Sequence, residues 1–247
     1  MFLPKLCYTI VMKKMRIHNI VSLVCNLLIV VFTLDAFYYS FRTDVIRDEF
    51  WFGYTGIHSL RFFTVLSNLF VMIVCFMLLI YNIKNIVHDK YEFPKWLITL
   101  KYISTTAVSL TFLTVVAFLA PTFAVIGKGY FTLFEHNNFF MHFLTPVLAF
   151  TSFVFFERNQ KLPFKQTWLA ILPTTLYAIV YTTMVVFVGE ANGGWADFYN
   201  FTFGGHMWVI PISASVMLLV TFGLGVLLRV FHNKRIGKIE KQQTKNS

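Results

Sequence analysis

RFFTVLSNLFVMIVCFMLLIYNIK, residues 61–84, decides how this chain is read. Nothing between Arg61 and Lys84 carries a formal charge. The stretch exceeds the roughly 20 apolar residues that a bilayer-spanning helix needs. Its apolar residues do not alternate with polar ones, so it does not read as a half-buried strand. Taken as a span over about 61–81, it is one of six such runs. The others cover approximately 19–40, 97–120, 139–156, 167–188 and 207–231.

Composition agrees. Of 247 residues, 13% are charged, 57% hydrophobic and 19% aromatic, and mean hydropathy is +0.66. A water-soluble domain carries about 25% charged residues, so this chain has too little polar surface to coat a globule. The fold class expected is all-α: a polytopic membrane protein with six transmembrane helices in one domain over 1–247.

Between the runs lie short polar connections, and their Lys/Arg content sets the orientation. One side collects Lys5, Lys13, Lys14 and Arg16; Lys84, Lys90, Lys95 and Lys101; Arg158, Lys161 and Lys165; and Arg229, Lys234, Arg235, Lys238, Lys241 and Lys245. The other has only Arg42, Arg47, Arg61 and Lys128. Seventeen against four predicts both termini in the cytoplasm, with 232–247 as a basic cytoplasmic tail. The net charge of +10 is thereby assigned to an anionic inner membrane surface. No basic face is long enough to track a nucleic-acid backbone, so nucleic acid is excluded as a partner and the lipid bilayer is the expected one. Short inner loops without targeting domains point to a bacterial plasma membrane. The first run is too long for a signal-peptide core and reads as a retained anchor. Cys7 lies in the N-terminal segment and Cys25 and Cys75 inside apolar runs, so no disulfide is expected.

Polar residues at membrane depth are costly and therefore informative. In the second run Thr64, Ser67 and Asn68 stand at i, i+3 and i+4, on one helical face. Thr64 lies about 5 Å below the outer boundary at 1.5 Å per residue. In the fourth run His142 lies about 5 Å below the same boundary, and Pro146 removes the hydrogen bond to the His142 carbonyl, predicting a kink there. Asp35 and Tyr38 end the first run, Glu190 closes the fifth and His206 opens the sixth, with His58 and His136 in the outer loops. The inner half shows nothing comparable on this reading. A polar pocket open to the outer leaflet is the expectation. The blander accounts are a Thr bonded to its own helix, a His serving as an interfacial anchor, and Asp35 pairing with Arg42 or Arg61.

Two stretches, RFFTVLSNLF (61–70) and MHFLTPVLAF (141–150), resemble the androgen-induced family of membrane hydrolases and their bacterial Pr6Pr-type relatives. The matching elements are Phe63-Thr64 and Met141-His142 followed by Pro146. Gly193-Gly194-Trp195 resembles a further Gly-x-Trp element, without the Tyr-Pro that accompanies it. The resemblance implies a hydrolase of fatty-acid or lipid esters with Thr64 as nucleophile and His142 as base. A Thr hydroxyl needs such a base within about 3 Å and an oxyanion donor. Asn68 is the first candidate donor, with Ser67, Asn137 and Asn138 nearby; Asp35 or Glu190 would orient His142. The ligand expected is an amphiphilic ester or other lipid entering from the outer leaflet.

Two other readings stand beside it. One is a non-enzymatic membrane protein: a small transporter, lipid-binding protein or partner subunit, with Pro173 and Pro211 interrupting runs five and six but no internal repeat. The other is a metal-dependent hydrolase using His58, His136, His142 and His206 with Asp35, Glu190 or Asp197, although no His-x-x-x-His pair occurs. No motif for a cofactor or a dedicated metal site appears, and none is expected.

Overall fold

The computed structural model describes residues 3–41, 56–90, 92–157 and 160–246, with side chains from 15 to 238. Arg42, Asp44, Arg47, Asp48, Glu49, Trp51, Tyr54 and Arg158 lie outside the described residues, as do the side chains of Lys5, Cys7, Lys13, Lys14, Lys241 and Lys245. No strand occurs among the described residues.

Six helical segments follow one another. They are α1 (Leu3–Phe41), α2 (Phe63–Val87), α3 (Lys95–Val125), α4 (Phe140–Phe156), α5 (Phe164–Val188) and α6 (Ile210–Asn246). Five contain apolar stretches long enough to cross a membrane: Met15–Phe41, Phe63–Val87, Lys95–Val125, Phe164–Val188 and Met207–Lys238. Helix α4 is apolar but shorter. These helices suit a multi-pass membrane protein.

Helix α1 turns polar side chains inward and apolar ones outward, as lipid as solvent allows. On α1, Asn19, Ser22, Asn26 and Thr33 are buried, while Ile20, Val24, Leu27, Val31 and Leu34 are exposed. In water that pattern would be reversed.

Proline and its neighbours shape the helices locally. Pro146 cannot donate a backbone hydrogen bond. The turn before it, Phe140–Leu144, is widened to a π-turn, and the Thr145 amide reaches back five residues to the Phe140 carbonyl. Pro121 in α3 has the same device: Val115–Leu119 is a π-turn, closed by the Ala120 amide on the Val115 carbonyl. The expected disruption at Pro146 is thus a π-bulge, a common answer to a broken ladder.

Helix α3 is the axis of the bundle. It packs against α2, α4, α5 and α6, and residues 101–108 are all buried. Tyr102 donates to the Gly225 carbonyl of α6 at 2.8 Å. A Cβ at Gly225 would stand 2.9 Å from that hydroxyl, so glycine lets α3 and α6 approach. Near its C-terminal end, Asn233 of α6 exchanges two hydrogen bonds with the Leu162 backbone, at 2.8 and 2.9 Å. His232 stacks on Phe153 of α4, with ring centroids 4.5 Å apart.

Candidate functional site: an apolar cavity and a buried ion pair

A cavity of about 600 Å3 opens between α2, α3, α5, α6 and the loop ahead of α6. Its walls are mainly apolar, from residues such as Leu110, Phe118, Ala178, Phe201, Ile212 and Met217. Hydroxyl groups of Thr64, Thr111, Thr174, Tyr177, Tyr199 and Ser213 punctuate them. The size falls within the usual range for small-molecule pockets, about 300–1,000 Å3.

The loop that roofs it is built around Asp197. The carboxylate accepts from the Tyr181 hydroxyl at 2.6 Å, the Phe201 amide at 2.9 Å, and the Thr202 amide and hydroxyl at 2.7 and 2.6 Å. Burial pushes this carboxyl up, but the hydrogen bonds from Thr202, Tyr181 and the backbone outweigh it and hold it below its ordinary value. The Tyr199 hydroxyl accepts from the Phe63 amide at 3.1 Å, satisfying a donor that the start of α2 would leave open. Burial pushes the Tyr199 phenol up to about 12, so it stays neutral at physiological pH. The Gly193-Gly194-Trp195 stretch closes the turn after α5. The Gly194 amide donates to the Gly189 carbonyl at 2.8 Å, and a Cβ at Gly194 would fall 2.3 Å from the Met184 carbonyl. Arg61 lies over the Trp195 ring at 5.9 Å.

Of the residues singled out in the sequence, Thr64 lines this cavity and His142 does not. The His142 Nδ1 sits 2.6 Å from the Leu133 carbonyl. The described residues include no hydrogen bond between Thr64 and His142. Asn68 spends both amide donor hydrogens on carbonyls, of Thr64 at 2.8 Å and Met141 at 3.3 Å. It ties α2 to α4 immediately beside both residues. Ser67 pairs with Thr111 at 3.0 Å and with the Thr64 carbonyl at 3.1 Å. Asn137 donates to the Ala36 carbonyl at 3.4 Å, and Asn138 is buried. Asp35 and Glu190 are exposed, as are His58, His136 and His206. Among the described residues no three His, Cys, Asp or Glu side chains gather into a group able to hold a metal. Cys25 and Cys75 are buried and free.

The second feature corrects the sequence reading that the inner half holds nothing comparable. Lys101 of α3 and Glu157, at the end of α4, are both fully buried, with Nζ 3.6 Å from Oε1. Lys101 also donates to Asn26 Oδ1 at 2.8 Å and approaches Cys75 Sγ at 3.0 Å. Asn26 Nδ2 donates to Glu157 Oε1 at 2.9 Å, and the Ser22 hydroxyl to the same oxygen at 3.3 Å. Asn82 Nδ2 donates to Ser22 Oγ at 3.3 Å. Four helices thus meet at one polar network. The signals were present: Asn19, Ser22 and Asn26 at i, i+3 and i+7, Asn82 near the inner end of run two, and Lys101 inside an apolar run.

No family model, no curated protein and no solved structure matches this chain.

Proposed function

We propose that this is a six-span membrane protein, with both termini cytoplasmic, that binds a lipid-like amphiphile in the outer cavity. One observation carries the ligand class: a cavity of about 600 Å3 whose walls are apolar, with hydroxyl groups but no carboxylate among its lining residues. Such walls accept an acyl or other apolar chain by burying it from water. The scattered hydroxyls suit an uncharged ester, alcohol or amide head. The cavity lies near the starts of α2 and α6 and the loop between α5 and α6, which the Lys/Arg asymmetry puts at the outer face. Helix α4, about 25 Å long at 1.5 Å per residue, suffices for a span packed against its neighbours. A bacterial plasma membrane is the setting that the short inner loops favour. The test is displacement of a fluorescent fatty-acid ester from the protein in nanodiscs, repeated with Ala178→Trp to fill the cavity.

A second reading is ester hydrolysis at the same place, with Thr64 as nucleophile and His142 as base. The observation that favours it is that Thr64 faces the cavity. His142 would have to leave the Leu133 carbonyl or use its Nε2. Labelling by a fluorophosphonate probe, lost in both Thr64→Ala and His142→Ala, would support it. Ligand binding without labelling would leave the binding role alone.

A further inference from the structure

We propose that Glu157 is an intramembrane proton-binding site, reached from the Lys-rich end of the bundle. Two atoms of the network lack partners. Glu157 Oε2 and Asn82 Oδ1 are buried and make no hydrogen bond. Both residues are bonded to the same Ser22 hydroxyl. Two open acceptors on one small network call for a donor between them. A proton on Glu157 Oε2 would turn one of these acceptors into a donor, with Asn82 Oδ1 as an unsatisfied acceptor of the same network. The step forms one O–H bond on Glu157 at the expense of one in hydronium, and nothing is oxidised or reduced.

Lys101 does not compete for this role. It lies closer to Asn26 Oδ1, at 2.8 Å, than to Glu157, at 3.6 Å. Its ammonium therefore keeps neutral acceptors when the carboxylate is neutralised. A metal cation fits poorly, because hard cations take six or more oxygens and, among the described residues, this network leaves open only Glu157 Oε2 and Asn82 Oδ1. Among the described residues, Cys75 of α2 and Cys25 of α1 also face this region. His18 of α1 lies against Phe156, and His232 and Arg235 of α6 lie against Phe153 and Phe155 at the end of α4.

Access of this kind would begin at a small cavity. A cavity of about 10 Å3 lies at the Lys-rich end, lined by Arg16, Asn19, Asn85, Asp89 and Lys90. That volume suits one water. Asn19 Oδ1 is another buried acceptor without a partner, while its amide donates to the Lys90 carbonyl at 2.8 Å. Asn19 stands one helical turn from Ser22, whose hydroxyl donates to Glu157 Oε1, so a water in this cavity would start the proton's path toward Glu157.

Infrared difference spectroscopy of the full chain in nanodiscs across a pH titration tests this. The expected result is a protonated-carboxyl band that grows as pH falls, vanishes in Glu157→Gln and shifts in frequency in Asn82→Ala. Asp35→Asn and Glu190→Gln should leave it unchanged. A folded wild type with no such band would overturn the proposal, as would a band that survives in Glu157→Gln. Should Glu157→Gln fail to fold, an unshifted band in Asn82→Ala would overturn it equally. A signal that follows sodium rather than pH would also refute it.

Discussion

Lys101 and Glu157 face each other across α3 and α4, fully buried, with Nζ 3.6 Å from Oε1. Removing water from two charges is costly, and their attraction offsets this only while both are present. At a pH where Glu157 is ionised, Lys101→Met should therefore destabilise the protein by about 3–5 kcal/mol, the usual cost of stranding one buried charge. Lys101→Met combined with Glu157→Leu should recover most of that loss. Thermal unfolding of the purified variants in one detergent measures the difference. Equal loss in the single and double variants would show that the pair is not the cause.

The roof of the cavity should be acid-labile. The Asp197 carboxyl is held below its ordinary value in the folded loop. Its contribution is therefore fully present above the ordinary carboxylate pKa of about 3.9. It is lost as pH falls through the lower folded value. Fluorescence of the neighbouring Trp195 should change over that acid range, and the change should disappear in Asp197→Asn. Trp195→Phe identifies the signal among the five tryptophans.

Orientation has its own test. In a variant lacking Cys7, a cysteine at Glu190→Cys should react with a membrane-impermeant maleimide on intact cells. One at Lys161→Cys should react only after the membrane is opened. Both positions are exposed, and Cys25 and Cys75 are buried. The reverse pattern would invert the topology that the Lys/Arg asymmetry implies.

The helices were legible because lipid demands long apolar runs, and few alternatives exist for a run such as 61–84. The expected span 139–156 corresponds to Phe140–Phe156, and 61–81 to a helix over Phe63–Val87 that continues past Tyr81. Asn82 and Asn85 lie in that continuation and are buried. The polar network was not legible for a related reason. Counting Lys101 among the orientation-setting charges treats it as a surface group, and Glu157 looks like the first residue of a loop. Helix depth follows from sequence, but which polar faces meet follows only from packing. The cavity end of the bundle was read in part. Thr64 does face the cavity, whereas the i, i+3, i+4 pattern that grouped it with Ser67 and Asn68 serves helix contacts. The part played by Tyr181 and Tyr199 was not anticipated, because Asp197 joins the loop carrying Tyr199 to Tyr181 of α5 through contacts that no local spacing reveals.

The most direct test of the central claim is binding of a fluorescent fatty-acid ester to the protein in nanodiscs, with unlabelled ester as competitor. The account predicts saturable, displaceable binding to the parent that falls at least tenfold in Ala178→Trp, with α-helical content unchanged. Binding that is absent from the folded parent, or equal in Ala178→Trp, would contradict it.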